Sequence, residues 1–323
     1  MRRLKVLLLS VKAQFHPWGE DVVQAVGDRH NLFIFDDTQS LAPQFDGVEV
    51  VIDHGGSVGT RSMMDAAKDA RLWQILGTGF DHFDLEYICG KGIPVANCPG
   101  QFSSVALAET AMMFILMLAH EYRQSAANFQ SQALYKPMGR ELENLNLGII
   151  GFGASGQDLA RRAKAFGMRI LAIDVRSIAS EIMEEIRPDF VGTPADMDQV
   201  VGDSDFLSLH LHLNAETRHI IDTRRLALMK PTACLINVAR GALVDESALY
   251  QALTDGKLSG AGLDVFAQEP PDYTAPAYQL PNVVVTPHIA GVTYETSRKR
   301  AACAAQNVDC IAQGLAPLYR IDE

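Results

Sequence analysis

Leu145-Asn146-Leu147-Gly148-Ile149-Ile150-Gly151-Phe152-Gly153-Ala154-Ser155-Gly156 is the stretch on which the fold turns. A short apolar run of strand length passes through Gly-x-Gly-x-x-Gly into a helical pattern that lasts to about Phe166. That context makes the glycines a dinucleotide fingerprint. Gly151 permits a tight turn, Gly153 removes a Cβ from the path of a pyrophosphate, and Gly156 lets the helix pack closely on its strand. The backbone of Phe152, Ala154 and Ser155 then presents a helix N-terminus to an anion. The next apolar run, Arg169 to Asp174, ends in a carboxylate. A carboxylate there accepts from both ribose hydroxyls and repels a 2′-phosphate, which predicts NAD rather than NADP, with Arg176 partly offsetting the repulsion.

Outward from this unit, short β-branched or leucine-rich runs alternate with helical stretches along the whole chain, the signature of an α/β protein. Upstream, strands are expected near Val6 to Leu9, Leu32 to Phe35, Val48 to Asp53, Leu72 to Gly77 and Pro94 to Asn97, with glycine turns at Gly55-Gly56 and Gly77-Thr78-Gly79. From Ser103 to about Ser131 the pattern is helical for an unusual length and apolar on nearly every face around Ala106 to Leu118, as at a junction between domains. Lys136 to Asn146 reads as a surface loop. Downstream, six strands of a doubly wound sheet are expected, the last at Val283 to Thr286. The closing helical segment, Tyr294 to Gln313, has no strand of its own to cover and should return to the first domain. The expected organisation is therefore two doubly wound domains, a discontinuous one of residues 1–100 and 291–323 and an inserted one of residues 101–290. Hinges are expected near Pro99-Gly100 and Ala290-Gly291.

Composition narrows the function. With 323 residues, 48% hydrophobic and 21% charged, the chain is long enough to bury more than one core. A net charge of −11 disfavours a broad nucleic-acid or anionic-membrane surface, because the summed field repels phosphate. Cys89, Cys98, Cys234, Cys303 and Cys310 are scattered and odd in number, which points to a reducing compartment, the cytoplasm. The apolar start, Val6 to Leu9, is too short for a signal peptide, and Ala111 to Ala119 is too short for a membrane span. No ligand spacing suggests a metal; His210 and His212 have no third partner in sequence.

Three strands carry the chemistry at their ends. Cys234 to Ala239 leads into Arg240-Gly241, Gly262 to Phe266 leads to Glu269, and Val283 to Pro287 leads to His288. Parallel strands bring such ends to one edge, where open α/β sheets bind ligands. A guanidinium fork can hold a carboxylate and polarise the carbonyl beside it. An imidazole can exchange the proton of a hydroxyl, and a carboxylate behind it orients the ring and favours the imidazolium. Together they suit hydride transfer between a nicotinamide and a 2-hydroxy acid.

These segments resemble the D-isomer-specific 2-hydroxyacid dehydrogenases across nearly the whole chain. The carriers are Gly148 to Gly156, "CLINVARGALVDESAL" (Cys234 to Leu249), "AGLDVFAQEP" (Ala261 to Pro270) and "TPHIAG" (Thr286 to Gly291). The resemblance implies two Rossmann-like domains, the cofactor domain inserted into a discontinuous substrate domain of flavodoxin type, with Arg240, Glu269 and His288 as the catalytic three. It also implies that Asp264 and His288 meet the nicotinamide, and that Val238, Ala239, His210, His212 and Thr217 line the cofactor. Substrate is expected at Arg240 and His288 and at backbone amides of Gly55, Gly56, Thr78 and Gly79. His212 stands where relatives commonly carry proline, and the tryptophan frequent near Lys136 to Gly139 is missing. Asp81-His82 resembles the glyoxylate and hydroxypyruvate reductases. Phosphoglycerate would need further cations, and only Arg61 and Lys68 lie near His54 in sequence, so a small unphosphorylated acid is expected. The family resemblance also implies a homodimer through the cofactor domain. A phosphoglycerate dehydrogenase and a nucleotide-sensing corepressor of the same fold are the alternatives.

Overall fold

The computed structural model describes residues 2–54 and 58–323. The chain forms two compact units, Met1–Phe102 with Val292–Glu323, and Ser103–Gly291. The first holds a parallel sheet of β1 (Lys5–Leu9), β2 (Asn31–Ile34), β3 (Val50–Asp53), β4 (Leu72–Ile75) and β5 (Val95–Ala96), in the order β2-β1-β3-β4-β5. That is the flavodoxin-like winding. Its central strands are buried apart from Lys5 and mostly apolar, with Asp53 and Gln74 the buried polar exceptions, as parallel strands covered by helices tend to be. One face packs against the last helix, Tyr294–Ala312, through Ala301, Ala304, Val308 and Ile311. The chain thus returns to its first unit as expected.

The second unit contains β6 (Asn146–Ile150), β7 (Arg169–Ile173), β8 (Phe190–Gly192), β9 (Phe206–Leu209), β10 (Cys234–Asn237), β11 (Gly260–Leu263) and β12 (Val283–Val285). The order is β12-β11-β10-β9-β6-β7-β8, all parallel, with the winding reversed between β6 and β9. The sheet has seven strands where six were expected. The addition, β8, is three half-buried residues close to Pro188 and Pro194, too short to show a period.

The long apolar segment is two helices rather than one. Ser104–Ala119 and Tyr122–Gln130 meet at 56°, with Glu121 in the left-handed region at φ 44°. The first buries Ala108, Ala111, Phe114 and Ile115 in the core of its own unit, which accounts for its lack of a polar face. Among the described residues no single helix is long and apolar enough to cross a membrane.

Candidate active site

The cofactor loop is fixed by backbone crowding. Gly151 follows β6 at φ +97°, and a Cβ there would stand 2.5 Å from the carbonyl oxygen of His210, which follows the neighbouring β9. At Gly156 a Cβ would stand 2.3 Å from the carbonyl oxygen of Gly151. The loop therefore sits at the point where the sheet reverses its winding, the usual ligand crevice of such sheets. Gly153 leads into the helix Ala154–Ala165, whose N-terminus carries no side-chain cap among the described residues. An uncapped first turn, a backbone stripped of Cβ atoms and an acid after β7 together fit a nicotinamide dinucleotide.

Several predicted contacts take a different form. Phe152 is buried in the core, and its N–H donates to Asp174 Oδ2 at 2.8 Å, so neither group faces a phosphate. Strand β9 stops at Leu209, so His210 and His212 lie beyond its end. His210 is partly buried, with Nδ1 2.9 Å from Ser155 Oγ and Nε2 3.0 Å from Ser208 Oγ. Burial pushes its pKa down to about 4, leaving a neutral ring that fixes the loop serine from behind. His212 is exposed in a turn where its carbonyl accepts from Thr217 Oγ1 at 2.8 Å. Among the described residues no cluster of His, Cys, Asp or Glu could hold a metal ion.

Asp174 carries more partners than sequence suggests. Its Oδ1 accepts from the N–H and Nε of Arg176 at 2.9 and 3.0 Å, and its Oδ2 from Phe152 N–H and Arg176 Nη2. Burial raises the carboxyl pKa, but the Arg176 bonds and charge and the Phe152 amide outweigh it and hold the group below its ordinary range.

The three polar residues come from three adjacent strands in register. Asn237 of β10 pairs with Leu263 of β11, which pairs with Val285 of β12. Arg240, Glu269 and His288 follow these aligned ends. Asn237 pins the first turn: its Oδ1 accepts from Ala239 N–H at 3.1 Å and its Nδ2 donates to Arg240 O at 2.8 Å. Val238 and Ala239 are buried beneath. At Gly241 a Cβ would fall 1.9 Å from the carbonyl carbon of Phe266, so only glycine lets the chain after β11 pass beside Arg240. That chain carries Glu269, whose Oε1 accepts from Phe266 N–H at 3.1 Å. Glu269 Oε2 lies 2.6 Å from His288 Nδ1. Burial raises the Glu269 pKa, but the His288 and Phe266 bonds, with the charges of His288 and Arg240, bring it below the ordinary range.

His288 has φ +55°, a left-handed conformation uncommon for a side-chain-bearing residue. Asp264 supplies the restraint. It is wholly buried, its carbonyl accepts from His288 N–H at 2.8 Å, and its carboxylate accepts from Thr286 Oγ1, Ile289 N–H and Ala290 N–H at 2.6, 2.8 and 2.8 Å. The residue expected at the nicotinamide thus clamps the turn that aims the imidazole. In the first unit, Thr78 and Gly79 are partly exposed after β4, and Thr78 O accepts from Asn97 Nδ2 at 2.8 Å. Gly55 and Gly56 lie outside the described residues.

With this geometry in place, comparison with known proteins is direct. Residues 112–290, more than half of the chain, match the family described as "D-isomer specific 2-hydroxyacid dehydrogenase, NAD binding domain". A glyoxylate reductase of Thermococcus litoralis is 38% identical over 266 residues, covering 80% of this chain and 78% of that protein. The chain belongs to this family. The dehydrogenase is also 35% identical over 280 residues to a D-3-phosphoglycerate dehydrogenase of Methanocaldococcus jannaschii, covering 85% of this chain but 52% of that protein, about half its length. The crystal structure of a glyoxylate reductase from Paecilomyes thermophila superposes with a TM-score of 0.83 at 27% identity, covering 99% of each chain. A nicotinamide-dependent oxidoreductase acting on a CH–OH group is the class these relationships give. Sequence reading missed two groups of this dehydrogenase that position others, Asn237 and the Asp264 clamp. The only signal for the first was an asparagine directly before the Val238-Ala239-Arg240 turn.

Proposed function

We propose that this dehydrogenase reduces small 2-oxo acids to D-2-hydroxy acids, with glyoxylate and hydroxypyruvate as first candidates, using NADH in preference to NADPH. The observation that carries the reading is the 2.6 Å contact of His288 Nδ1 with Glu269 Oε2 beside Arg240, at the ends of adjacent strands. The reduced nicotinamide supplies the hydride. Arg240 holds the substrate carboxylate in its planar fork and draws electron density from the neighbouring carbonyl. His288, protonated, delivers a proton from Nε2 to the carbonyl oxygen, while Glu269 accepts from Nδ1–H and stabilises the cation until the proton leaves. In the oxidative direction the neutral ring takes that proton back. In the first unit, Thr78 and Gly79 offer backbone N–H groups to the substrate.

Asp174 supports the coenzyme preference, and the near approach of Arg176 tempers it. We also propose a homodimer built on the second unit. Supporting this, Phe129, Leu134, Tyr135 and Met138 lie close together in sequence and are 84%, 69%, 97% and 87% exposed, more apolar surface than water-facing loops ordinarily show. On the preceding helix, Val105 and Met113 add two further apolar side chains, each 38% exposed. Free thiols at all five cysteines support a cytoplasmic setting. The deciding assay follows NADH and NADPH oxidation with glyoxylate, hydroxypyruvate and bulkier 2-oxo acids. Absence of oxidation with every acid would defeat the assignment.

A further inference from the structure

The segment that follows Arg240 meets the glutamate loop twice. At its start, Gly241 lies against the peptide joining Phe266 to Ala267: an added Cβ would fall 1.9 Å from Phe266 C, 2.2 Å from Phe266 O and 2.2 Å from Ala267 N. At its end, Glu246 opens the helix Glu246–Thr254, and its Oε1 accepts from Ala267 N–H at 2.8 Å. Packing on Gly241 sets how closely that peptide approaches the arginine turn. The hydrogen bond is directional and sets which way its N–H points. The Phe266 side chain is held separately, its ring meeting Tyr278 edge-on with centroids 5.1 Å apart.

The helix does not depend on Glu246 for its own start. Asp245 is the N-cap, with Oδ1 accepting from Ala248 N–H at 3.1 Å, which leaves the Glu246 side chain for a contact outside the helix. Successive N–H groups of the loop then go to two different carboxylates: Phe266 N–H to Glu269 Oε1 at 3.1 Å, and Ala267 N–H to Glu246. Because Glu246 occupies the second donor, Glu269 keeps Oε2 for His288 Nδ1, 2.6 Å away. Without Glu246, the Ala267 N–H becomes a rival to the imidazole for that oxygen, and the loop peptide is free to turn.

The other charges around this contact are accounted for. Glu269 lies in the field of Arg240 as well as of His288. The Asp264 carboxylate beside the histidine turn is engaged by Thr286, Ile289 and Ala290. Burial, with the charges of Glu246 and Asp272, pushes the Tyr278 hydroxyl pKa up to about 12, so that group stays neutral near pH 7.

We propose that Glu246 is a positioning residue for the reaction: by holding Ala267 N–H it keeps the Glu269 carboxylate on His288 and so maintains the proton donor for 2-oxo acid reduction. This rests on the proton-transfer reading of His288 and Glu269 above. Reduction draws on the protonated ring, so its rate is present below the titration of that donor and is lost as pH rises through it. A Glu269 drawn away from Nδ1 stabilises the cation less, which moves the loss to lower pH.

The test is the pH profile of kcat/KM for glyoxylate and hydroxypyruvate at saturating NADH in the wild-type enzyme, E246A, E246Q, E246D and E269Q. E246A should move the alkaline limb down by about half a unit to one unit, which is about a three- to tenfold loss on that limb. E246Q keeps an acceptor for Ala267 N–H and should stay close to wild type, although it loses the favourable charge on the first helical turn. A wild-type limb in E246A would overturn the proposal whatever its melting temperature, because a residue that only steadied the helix would alter stability and not the pH of the limb. Equal shifts in E246A and E246Q would overturn it too, assigning the effect to charge rather than to the contact. Should E246A fail to fold, E246D decides: it keeps the charge, loses the reach to Ala267 N–H and should move the limb in the same direction, and an unmoved limb overturns the proposal.

E269Q separates this inference from the reading beneath it. A limb shifted in E269Q but not in E246A sinks only the role of Glu246. A limb unmoved in E269Q withdraws Glu269 from the proton transfer, and the proposal falls with it; no turnover of either acid by the wild-type enzyme sinks the reductase reading itself.

Discussion

Arg176 closes over both carboxylate oxygens of Asp174, with Nε 3.0 Å from Oδ1 and Nη2 3.0 Å from Oδ2. With the two backbone N–H groups already on that carboxylate, its acceptor sites are filled. Ribose hydroxyls can reach Asp174 only if Arg176 swings away, and a 2′-phosphate would find in Arg176 a ready partner. Arg176→Ala should therefore raise the kcat/KM ratio for NADH over NADPH by about tenfold, and Asp174→Ser should lower it, both measured by coenzyme titration at fixed substrate. A ratio unmoved by either change would assign ribose recognition to another group.

His288→Asn keeps a polar group of similar reach and removes the transferable proton. Turnover should fall at least about 10²-fold, with NADH binding by fluorescence little altered. Normal turnover would mean that another residue handles the proton.

Arg240→Ala removes a fork rather than a simple charge. We expect a rise in KM for the 2-oxo acid together with a fall in kcat, the product being about 10- to 100-fold in kcat/KM. Arg240→Lys should recover only part, because a point charge does not reproduce paired donors. Reduced thermal stability with wild-type kinetics would mark Arg240 as a structural surface residue.

Glu269 has its carboxyl pKa depressed, so its contribution to stability is present above the unfolded value, about 4.3, and is lost as pH falls through the lower folded value. The Glu269–His288 contact should hence persist on acidification through the ordinary carboxylate range and fail only below it. Glu269→Gln should abolish this acid-side dependence and lower kcat. A comparison of pH–kcat/KM and pH–melting profiles for the two proteins checks both, and superimposable profiles would count against the pairing.

Gly241→Ala tests the geometry rather than the chemistry. Its Cβ would collide with the Phe266 backbone, which cannot rotate aside as a side chain would. A loss of about 1–3 kcal/mol in stability is expected, with activity reduced further because the Glu269 loop shifts. Calorimetry and steady-state kinetics on one preparation would separate the two effects.

The winding of the chain was legible because parallel strands buried on both faces leave continuous apolar runs such as Val6 to Leu9 and Ile149-Ile150, and because Gly-x-Gly-x-x-Gly has a demanding context. β8 was not, being brief and half-buried, nor was the break at Glu121, since a residue forced to positive φ leaves no compositional mark. The candidate residues Arg240, Glu269 and His288 were readable as the polar groups that follow strands. How they are held was not. Gly241 and Asp264 act through contacts between segments distant in sequence, whereas Asn237 holds its own turn through bonds to residues two and three positions on.

The return of the last helix to the first unit also bears on biosynthesis. A ribosome making this polypeptide releases β1, β3 and β4 long before the helix bearing Ala301, Ala304 and Val308, whose small side chains cover one face of their sheet. The nascent first hundred residues must wait with that greasy face bare while the whole inserted unit is translated and collapses, and β12 arrives last within it. Chaperone engagement during elongation is accordingly expected at the leading unit, and catalytic competence can begin only once the terminal helix has left the exit tunnel.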